Sequence, residues 1–387
     1  MLRSTEHLIT THVGSLPRPP YLIKIMASQD KNIDDSTYCN TLAEAVDDVV
    51  HKQIDIGVDI IDDGEFSKRG FAVYANERLG GLEATGKSRA SPWAQSREAN
   101  SFPEFYATEQ LAGKRPPTPN TMQMVCSGPI KYIGHQQLNR DIENLKKAAK
   151  KYGAKEVFMP AISPSDVVGN QLNNYYTSED EFLTAVADAL NEEYKTIVDA
   201  GFLLQIDDPR LINYYVKNPK LSVADCRKWA AQQVEIINYS LRGIPEDSIR
   251  YHTCYGINMG PRVHDMEMKD YMDIVLNIKA TAYSFENANP RHEHEWTLWK
   301  ELKLPDGKLL IPGVITHSSV LVEHPELVCQ RLIRFANVIG RENLIAGSDC
   351  GFGTQALAKP EIHPSIVWAK FQAMVDGTKL ASSYLWN

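Results

Sequence analysis

Four residues in the second half of the chain have side chains of the types that bind transition metals: His252, Cys254, Glu286 and Cys350. His252 and Cys254 are two positions apart, and such residues on a β-strand point to the same side. Glu286 follows Cys254 by 32 residues, and Cys350 follows Glu286 by 64. These intervals match one and two strand–helix units of roughly 30 residues each. The spacing predicts a metal site at the ends of successive strands.

One imidazole, two thiolates and one carboxylate suit four-coordinate Zn²⁺, and the soft thiolates argue against magnesium or calcium. A carboxylate is the weakest ligand of this set, so we expect Glu286 to leave or shift when a substrate sulfur binds. A free thiol has a pKa of about 8.5, so near neutral pH it is mostly protonated, whereas coordination to zinc deprotonates it. The chemistry predicted is attack of the activated sulfur on carbon, which is alkyl transfer to a thiol.

Other readings of these residues are open. Taken singly, each of the four could be a hydrogen-bonded core histidine, an inert cysteine or a paired carboxylate. His292 and His294 form an HxH pair that could rival the site, but they follow a loop-like stretch, so we expect a substrate-facing or surface role. His317 is a lone histidine after a predicted strand, and it could carry a proton or only make a hydrogen bond.

The positioning framework is predicted from eight short β-forming runs that alternate with helical stretches from about residue 40 onwards. This alternation predicts an α/β fold, a (β/α)₈ TIM barrel, as a single domain over residues 1–387. An open doubly wound sheet is the alternative, but no phosphate-binding glycine loop is present. A ninth run, Leu8–Val13, is expected to be an N-terminal segment that feeds the barrel mouth. The eight runs are Val58–Asp63, Met122–Ser127, Glu156–Ala161, Phe202–Asp207, Ile249–Tyr255, Ala280–Glu286, Leu309–Ile315 and Leu344–Ser348.

Two of these predicted strands are preceded by a glycine and end in a pair of aspartates. Gly57 precedes a strand that ends in Asp62-Asp63, and Gly201 precedes one that ends in Asp207-Asp208. A glycine suits the left-handed position that ends a helix, so the following strand begins cleanly. Each acidic pair then falls at the carboxyl end of its strand, which is the catalytic face of such barrels.

The stretch from residue 83 to residue 120 has no hydrophobic period and is rich in Ser, Pro, Ala and charge. We expect a long loop excursion, either a lid over the barrel mouth or a solvated loop. As a lid, it would present basic residues to an anionic substrate, namely Lys87, Arg89, Arg97, Lys114 and Arg115.

Composition narrows the classes of partner. A net charge of −8 without a Lys/Arg cluster argues against nucleic-acid binding. No apolar run approaches the roughly 18 residues of a membrane span, and the N-terminal residues lack a secretory signal. Six scattered cysteines are too few for a disulfide framework, which predicts a cytoplasmic protein with reduced thiols. The expected partners are a small-molecule thiol acceptor and an alkyl donor, and a homo-oligomer is left open.

Several motifs, met in order along almost the whole chain, resemble those of the catalytic half of cobalamin-independent methionine synthases and their single-domain relatives. Three of them contain the predicted metal ligands, and these three are the most specific. The motifs are Thr10-Thr11-His12-Val13-Gly14-Ser15-Leu16-Pro17-Arg18, Asp63-Gly64-Glu65-Phe66, Ser127-Gly128-Pro129, Gln205-Ile206-Asp207-Asp208-Pro209, His252-Thr253-Cys254-Tyr255, Glu286 and Asp349-Cys350-Gly351.

The resemblance implies a (β/α)₈ barrel whose zinc is held by the four residues named above. It also implies that the backbone at Gly14 and Ser15 binds the carboxylate of homocysteine, and that Glu65 and Asp207 bind its ammonium group. His317 lies near the sequence position of a histidine that takes up or releases a proton in that family. The acidic strand ends agree with this, because a cationic group needs acidic partners in a concave site.

The function predicted is therefore a zinc-dependent methyltransferase or alkyltransferase of methionine biosynthesis, with homocysteine as the first choice of thiol. The donor is left open among a folate, a corrinoid and an epoxide. An epoxide:thiol alkyltransferase of the same family is the alternative transferase. A metal-free decarboxylase-like lyase on the same barrel and a non-catalytic binding protein are alternatives of other classes.

Overall fold

The computed structural model describes residues 1–28, 36–112, 122–256, 260–358 and 362–387. Eleven strands lie in these residues, eight in one parallel sheet and three in another. The strands are β1 Ile9–Thr10, β2 Ile60–Ile61, β3 Leu79–Ser88, β4 Met122–Tyr132, β5 Glu156–Ile162, β6 Gln171–Asn173, β7 Leu203–Asp207, β8 Ile249–His252, β9 Ala282–Phe285, β10 Leu309–Ile315 and β11 Ile345–Ser348.

Helices follow or connect these strands, and four short 3₁₀ segments lie between them at Glu246–Ser248, Met268–Asp270, Glu293–Lys300 and Arg341–Asn343. No helix among the described residues combines the length and apolar character that a membrane crossing requires. The helices are α1 Pro20–Ser28, α2 Ser36–Ile56, α3 Tyr74–Arg78, α4 Arg97–Ser101, α5 Pro103–Ala112, α6 His135–Tyr152, α7 Pro164–Gly169, α8 Glu179–Asp199, α9 Arg210–Lys217, α10 Val223–Ser240, α11 Met272–Val275, α12 Pro325–Ile339 and α13 Pro364–Trp386.

The eight parallel strands form the predicted (β/α)₈ barrel, in the order β1-β11-β10-β9-β8-β7-β5-β2. The two ends of this order meet, because the backbone N–H of Asp59 donates to the carbonyl of Thr10 at 3.2 Å. Side chains alternate between the two faces as expected for strands. On β9, Tyr283 and Phe285 belong to the main core that the helices cover, whereas Ala282 belongs to a separate small apolar cluster.

That small cluster takes residues from seven of the eight barrel strands and fills the barrel interior. The eighth strand, β8, contributes a charged residue instead. The buried guanidinium of Arg250 lies over the ring of Phe158 at 4.1 Å, and it donates to Thr11 Oγ1 at 2.9 Å and to the His12 carbonyl at 2.7 Å. These bonds compensate its loss of water. The cluster members are Ile9, Ile60, Phe158, Leu203, Ala282, Leu309, Ile311 and Ile345.

Two strand assignments made from the sequence are wrong. Met122–Ser127 is part of β4, which pairs with β3 and β6 in a separate three-stranded sheet, and β4 contacts α8 outside the barrel. Leu8–Val13 contains β1, a barrel strand that pairs with β11. Local composition predicts that a segment is extended, but the partner that it pairs with is decided by contacts distant in sequence.

The excursion over residues 83–120 is not a continuous loop where the structure describes it. It begins within β3, which runs antiparallel to β4, and continues through α4 and α5. Gly81 allows this pairing to shift register, since it has φ +89° and a Cβ there would lie 2.6 Å from the Pro129 carbonyl. Glycine weakens a strand, so the glycine-rich sequence of β3 does not predict one. Pairing with β4 stabilises it. Lys114 and Arg115 lie outside the described residues.

Gly57 and Gly201 have the conformation predicted for them, with φ of +100° and +89°. Gly57 follows α2 and precedes β2, while Gly201 follows α8 and precedes β7. Both acidic pairs therefore lie at carboxyl ends of barrel strands, on the face where the metal candidates also lie.

Candidate functional site

The structure brings three of the four predicted metal ligands together. His252 ends β8, Cys254 follows it by two residues, and Cys350 follows β11. One ligand atom from each of these buried residues lies within 4.8 Å of the other two, and the two sulfur atoms are 3.4 Å apart. Strands distant in sequence thus provide one soft nitrogen–sulfur donor set, of the kind that binds zinc.

The ring of His252 is oriented for binding a metal. Its Nδ1 lies 3.1 Å from Ser284 Oγ, while its buried Nε2 has no hydrogen-bond partner among the described residues. Burial, and then the charge of nearby Arg250, lower the pKa of His252 to about 3, so the ring is neutral. A neutral imidazole with one nitrogen fixed and the other free is the form in which histidine binds a metal.

The thiol pair fits the same interpretation. The hydrogen bond with Cys254 and burial raise the pKa of Cys350 well above its usual value. The thiol of Cys350 therefore stays protonated unless a cation compensates its charge. The free Nε2 of His252 and this pair make a donor set that a Zn²⁺ ion would complete.

The fourth predicted ligand, Glu286, lies in an adjacent buried group. Its carboxylate is within 4.8 Å of ligand atoms of His317 and Asp349. Its Oε1 accepts a hydrogen bond from the backbone N–H of Tyr255 at 2.8 Å, and its Oε2 accepts one from Asn289 Nδ2 at 2.8 Å. Burial raises the pKa of Glu286 to about 7. As a zinc ligand Glu286 stays a prediction.

His317, predicted as a catalytic residue, is buried beside this carboxylate. Neither of its ring nitrogens has a hydrogen-bond partner among the described side chains and backbone. Burial lowers the pKa of His317 to about 3, so the ring is neutral. A ring with so low a pKa is a weak base, and the catalytic role of His317 stays a prediction.

No sequence pattern pointed to Arg262, which lies in the loop after β8. Its Nη1 is 3.6 Å from Glu286 Oε2, and its guanidinium donates to the Gly256 carbonyl. Its charge interacts with Cys254 and Cys350.

A further residue, Asp349, fixes the chain after Glu286 because its Oδ1 accepts hydrogen bonds from two backbone N–H groups at 2.7 Å.

One cavity joins the candidate metal residues to the predicted acceptor-binding residues. Its empty space is about 450 Å³. Ser15, Glu65 and Asp207 line one part of it, and the three residues of the metal group line another. Glu286, His317 and Gly14 do not line this cavity. The remaining lining residues are Val13, Phe71, Pro209, Gly256, Gly351 and Thr354.

The segment at Gly14 and Ser15 packs closely against its surroundings. Gly14 has φ +139°, and a Cβ there would lie 2.7 Å from the Pro160 side chain. A Cβ on Gly351 would lie 2.0 Å from Ser15 Oγ, so the residue after Cys350 has to be glycine to leave that hydroxyl in place. Ser15 Oγ also lies 3.3 Å from Thr354 Oγ1. The hydroxyl is thus held at the cavity wall.

Glu65 and Asp207 place two buried carboxylates in the cavity wall. Glu65 has φ +57°, outside the usual range for a residue with a side chain, which is a strained backbone conformation. Lys68 Nζ lies 3.0 Å from Glu65 Oε1, so one cation already accompanies the pair. Burial, and then the charge of Glu65, raise the pKa of Asp207 well above its usual value. An added cationic group would relieve that repulsion.

The expected surface or substrate-facing role of the HxH pair is wrong for its first histidine. His292 is buried between Asp265 and Glu295, with nitrogen–oxygen distances of 3.1 and 2.9 Å, and its ring stacks on Tyr255 at 3.8 Å. The two carboxylates overcome the effect of burial and raise its pKa to about 9. His294 is exposed. Neither residue belongs to a group of metal-ligand type among the described residues.

The sequence profile of the family described as "Cobalamin-independent synthase, Catalytic domain" matches residues 8–106 and 171–377. The methionine synthase of Sulfurisphaera tokodaii is 24% identical over 382 residues, which cover 98% of this chain and 94% of that protein. The methionine synthase of Pyrococcus horikoshii is 23% identical over 380 residues, with the same coverage.

Solved structures show the same fold. A B12-independent methionine synthase from Shewanella sp. W3-18-1, in complex with selenomethionine, superposes with a TM-score of 0.71 at 18% identity. The match covers 98% of this chain and 99% of that one. A vitamin-B12-independent methionine synthase homologue from Listeria monocytogenes gives a TM-score of 0.64 at 18% identity. The barrel and its loops thus follow a known architecture throughout.

Proposed function

This chain belongs to the family of cobalamin-independent synthase catalytic domains, and we propose that it is a zinc-dependent transferase that moves a methyl or other alkyl group onto the sulfur of homocysteine. The observation that carries the proposal is the shared cavity, which has soft metal donors on one part of its wall and buried carboxylates on another. The methionine synthases to which the chain is similar support the same acceptor and product.

The acceptor is positioned by its amino-acid end. Its ammonium group would lie between Glu65 and Asp207, where one added positive charge relieves the repulsion between two buried carboxylates. Its carboxylate would lie against the Gly14–Ser15 backbone, whose Ser15 side chain lines the cavity. A thiol two methylenes further along the molecule can then reach the sulfur-rich part of the cavity.

His252, Cys254 and Cys350 would hold the zinc, with Glu286 as the fourth, displaceable ligand. When bound, zinc lowers the pKa of the acceptor thiol, so that the sulfur is a thiolate at neutral pH. Ser284 fixes the ring of His252, and Asn289 and Tyr255 hold the carboxylate of Glu286 ready beside the donor set. The buried surroundings exclude water from the reacting atoms.

The transfer replaces the donor's bond to the alkyl carbon with a bond from the acceptor sulfur. The acceptor thiol loses its proton, and the sulfur forms a bond to the alkyl carbon of the donor while that carbon's bond to the leaving atom breaks. The electron pair of the broken bond leaves with the donor. The proton passes to the displaced carboxylate of Glu286, whose pKa burial raises to about 7, and His317 beside it is the proposed proton-handling residue.

Zinc-edge X-ray absorption with a series of thiols tests this proposal. Homocysteine should add a sulfur ligand and remove an oxygen ligand, and it should be methylated or alkylated. The matched control is 4-mercaptobutyrate, which has the same carboxylate and thiol but lacks the ammonium group. It should bind about 10- to 100-fold more weakly, because the acidic pair is left without its partner.

The alternatives predict other outcomes. An oxygen ligand that stays in place with every thiol would contradict displacement of Glu286. Purified protein without zinc that decarboxylates a substrate would favour a lyase. Alkylation by an epoxide of a thiol that lacks an ammonium group, and no reaction with homocysteine, would favour the epoxide:thiol transferase.

A further inference from the structure

A buried histidine fixes the turn that leads to Ser15 at the cavity wall. His12 lies two residues after β1, and its Nδ1 accepts a hydrogen bond from the backbone N–H of Gly14 at 3.2 Å. The carbonyl of Val13, in the same peptide plane as that N–H, accepts a hydrogen bond from Gln205 Nε2. Both polar groups of this peptide plane are therefore held, which sets the direction in which the chain enters Ser15.

The position of the proton on the His12 ring is set by Gln53 of α2. His12 Nε2 lies 2.7 Å from Gln53 Oε1 and 3.5 Å from Asp62 Oδ1, so it faces two oxygen atoms. The amide of Gln53 cannot be reversed, because its Nε2 donates to the carbonyls of Val49 and Asp62 at 3.0 and 2.9 Å. Burial lowers the pKa of His12 to about 3, so the ring is neutral. Its single proton is then on Nε2, and its lone pair is on Nδ1.

The backbone N–H of Ser15 is the donor that this arrangement leaves free. The N–H of Gly14 is already bonded to His12, and Ser15 lines the cavity whereas Gly14 does not. No hydrogen-bond partner of the Ser15 N–H is found among the described residues, although Ser15 is buried. Buried backbone N–H groups are nearly always paired, so a free one at a cavity wall indicates a ligand.

Gln53 also fixes the other half of the predicted acceptor site. Its Oε1 accepts a hydrogen bond from the backbone N–H of Asp62 at 3.2 Å, and its Nε2 donates to the Asp62 carbonyl. Asp62 Oδ1 in turn accepts the N–H of Gly64 at 2.8 Å, directly before Glu65. One buried side chain therefore links the turn at Ser15 to the turn at Glu65.

We propose that His12 is a positioning residue for the carboxylate of the thiol acceptor. It binds the N–H of Gly14, so that the N–H of Ser15 is left to bind the anion. Gln53 keeps the His12 ring in the tautomer that can accept this hydrogen bond. The inference rests on the proposed function, which places the carboxylate of homocysteine at this turn.

Calorimetric titration of the zinc-loaded, full-length protein with two thiols tests this role. Homocysteine and 3-aminopropane-1-thiol share the thiol and the ammonium group, but only homocysteine has the carboxylate. The native protein should bind homocysteine about 10- to 100-fold more tightly, since the carboxylate makes a charge-assisted hydrogen bond. His12→Phe keeps an aromatic ring beside Phe158 and Phe371 but has no lone pair, so it should reduce this preference to about 3-fold or less. His12→Asn should keep most of the preference, because an asparagine oxygen can accept the N–H two residues further on.

His51→Phe is the matched control, because His51 is an exposed histidine of α2, and its preference should equal that of the native protein. Gln53→Met provides a second variant should His12→Phe unfold. It should reduce the same preference, because the His12 ring is then free to adopt the other tautomer. An unchanged preference in the folded variant would overturn the proposal. Equal losses of affinity for both thiols would also overturn it, because a purely structural role predicts that result.

Nitrogen-15 NMR of protein labelled at histidine gives a readout that needs no thiol. His12 should show a protonated Nε2 and an unprotonated Nδ1, and the reverse tautomer would refute its role. A native preference for homocysteine that persists in His12→Phe would refute the role of His12 alone and leave the acceptor assignment standing. A native protein that binds both thiols equally would refute the carboxylate site, and with it the acceptor in the proposed function.

Discussion

Two buried histidines on the same face of the barrel have opposite chemistry. His252 ends a barrel strand beside two thiols, and burial holds its pKa at about 3. His292 lies in the loop after the next strand between two carboxylates, and its pKa is about 9. Both side chains are almost fully buried. Burial alone therefore does not separate a metal ligand from a structural cation.

The partners of each ring make the difference. His292 uses both nitrogens in short contacts with Asp265 and Glu295, so it is a fully satisfied cation. His252 fixes one nitrogen on Ser284 and leaves the other free beside soft donors. A free buried nitrogen is costly unless a ligand completes it, which indicates a binding role.

Cys350→Ser should have the largest effect. The zinc content should fall from about one tightly bound ion per chain to nearly none, because a hydroxyl is a poor zinc ligand at neutral pH. The rate of thiol alkylation should fall at least roughly 1,000-fold. Metal analysis and an alkylation assay measure this. Cys329→Ser, a buried cysteine of α12 outside the site, is the control and should retain both. Zinc retained in Cys350→Ser would refute the site.

His292→Gln should lower the free energy of unfolding by about 3–5 kcal/mol, because two buried carboxylates lose their cation. Urea denaturation of the metal-free protein measures it. Zinc content of the folded protein should stay unchanged. His294→Gln, an exposed neighbour, should change stability by less than about 0.5 kcal/mol. Loss of zinc in His292→Gln without loss of stability would reverse the roles of the two histidines.

Ser284→Ala should weaken zinc binding about 10- to 100-fold, because His252 loses the partner that fixes its ring. Competition with a chelator of known affinity measures the change. Ser383→Ala, on the exposed part of α13, should bind zinc like the native protein. An unchanged zinc affinity in Ser284→Ala would mean that packing alone orients the ring.

The pH dependence of stability gives a gradual effect that is small at each step of pH. The native state holds a proton on His292 up to about pH 9, while the unfolded state releases it near pH 6.5. Stability from this group is complete below about pH 6.5 and is lost as pH rises towards 9, at roughly 1 kcal/mol per pH unit. Urea denaturation of metal-free protein between pH 6 and 9.5 measures the slope. His292→Gln should lose this part of it, and an equal slope in both proteins would contradict the ion-pair assignment.

Much of the fold followed from local pattern. Strand–helix alternation predicted the barrel, and Gly57 and Gly201 marked where two helices end. The pattern failed where pairing is not local: β1 joins the barrel through β11, more than 300 residues away, and β4 pairs with β3 instead of entering the barrel. Strand propensity cannot choose between partners, because it measures fit to a sheet and not to a particular neighbour.

The sequence by itself predicted the soft donor set, because His252 and Cys254 are two positions apart at the end of one strand and Cys350 follows a later strand of the same closed sheet. It also determined the acidic strand ends. Only the tertiary structure decided that His292 is a buried cation and that Glu286 lies with His317 and Asp349. The two-residue period of a strand orients side chains that are neighbours along the chain. The charges and hydrogen bonds around a buried side chain come from loops, whose positions no sequence period predicts.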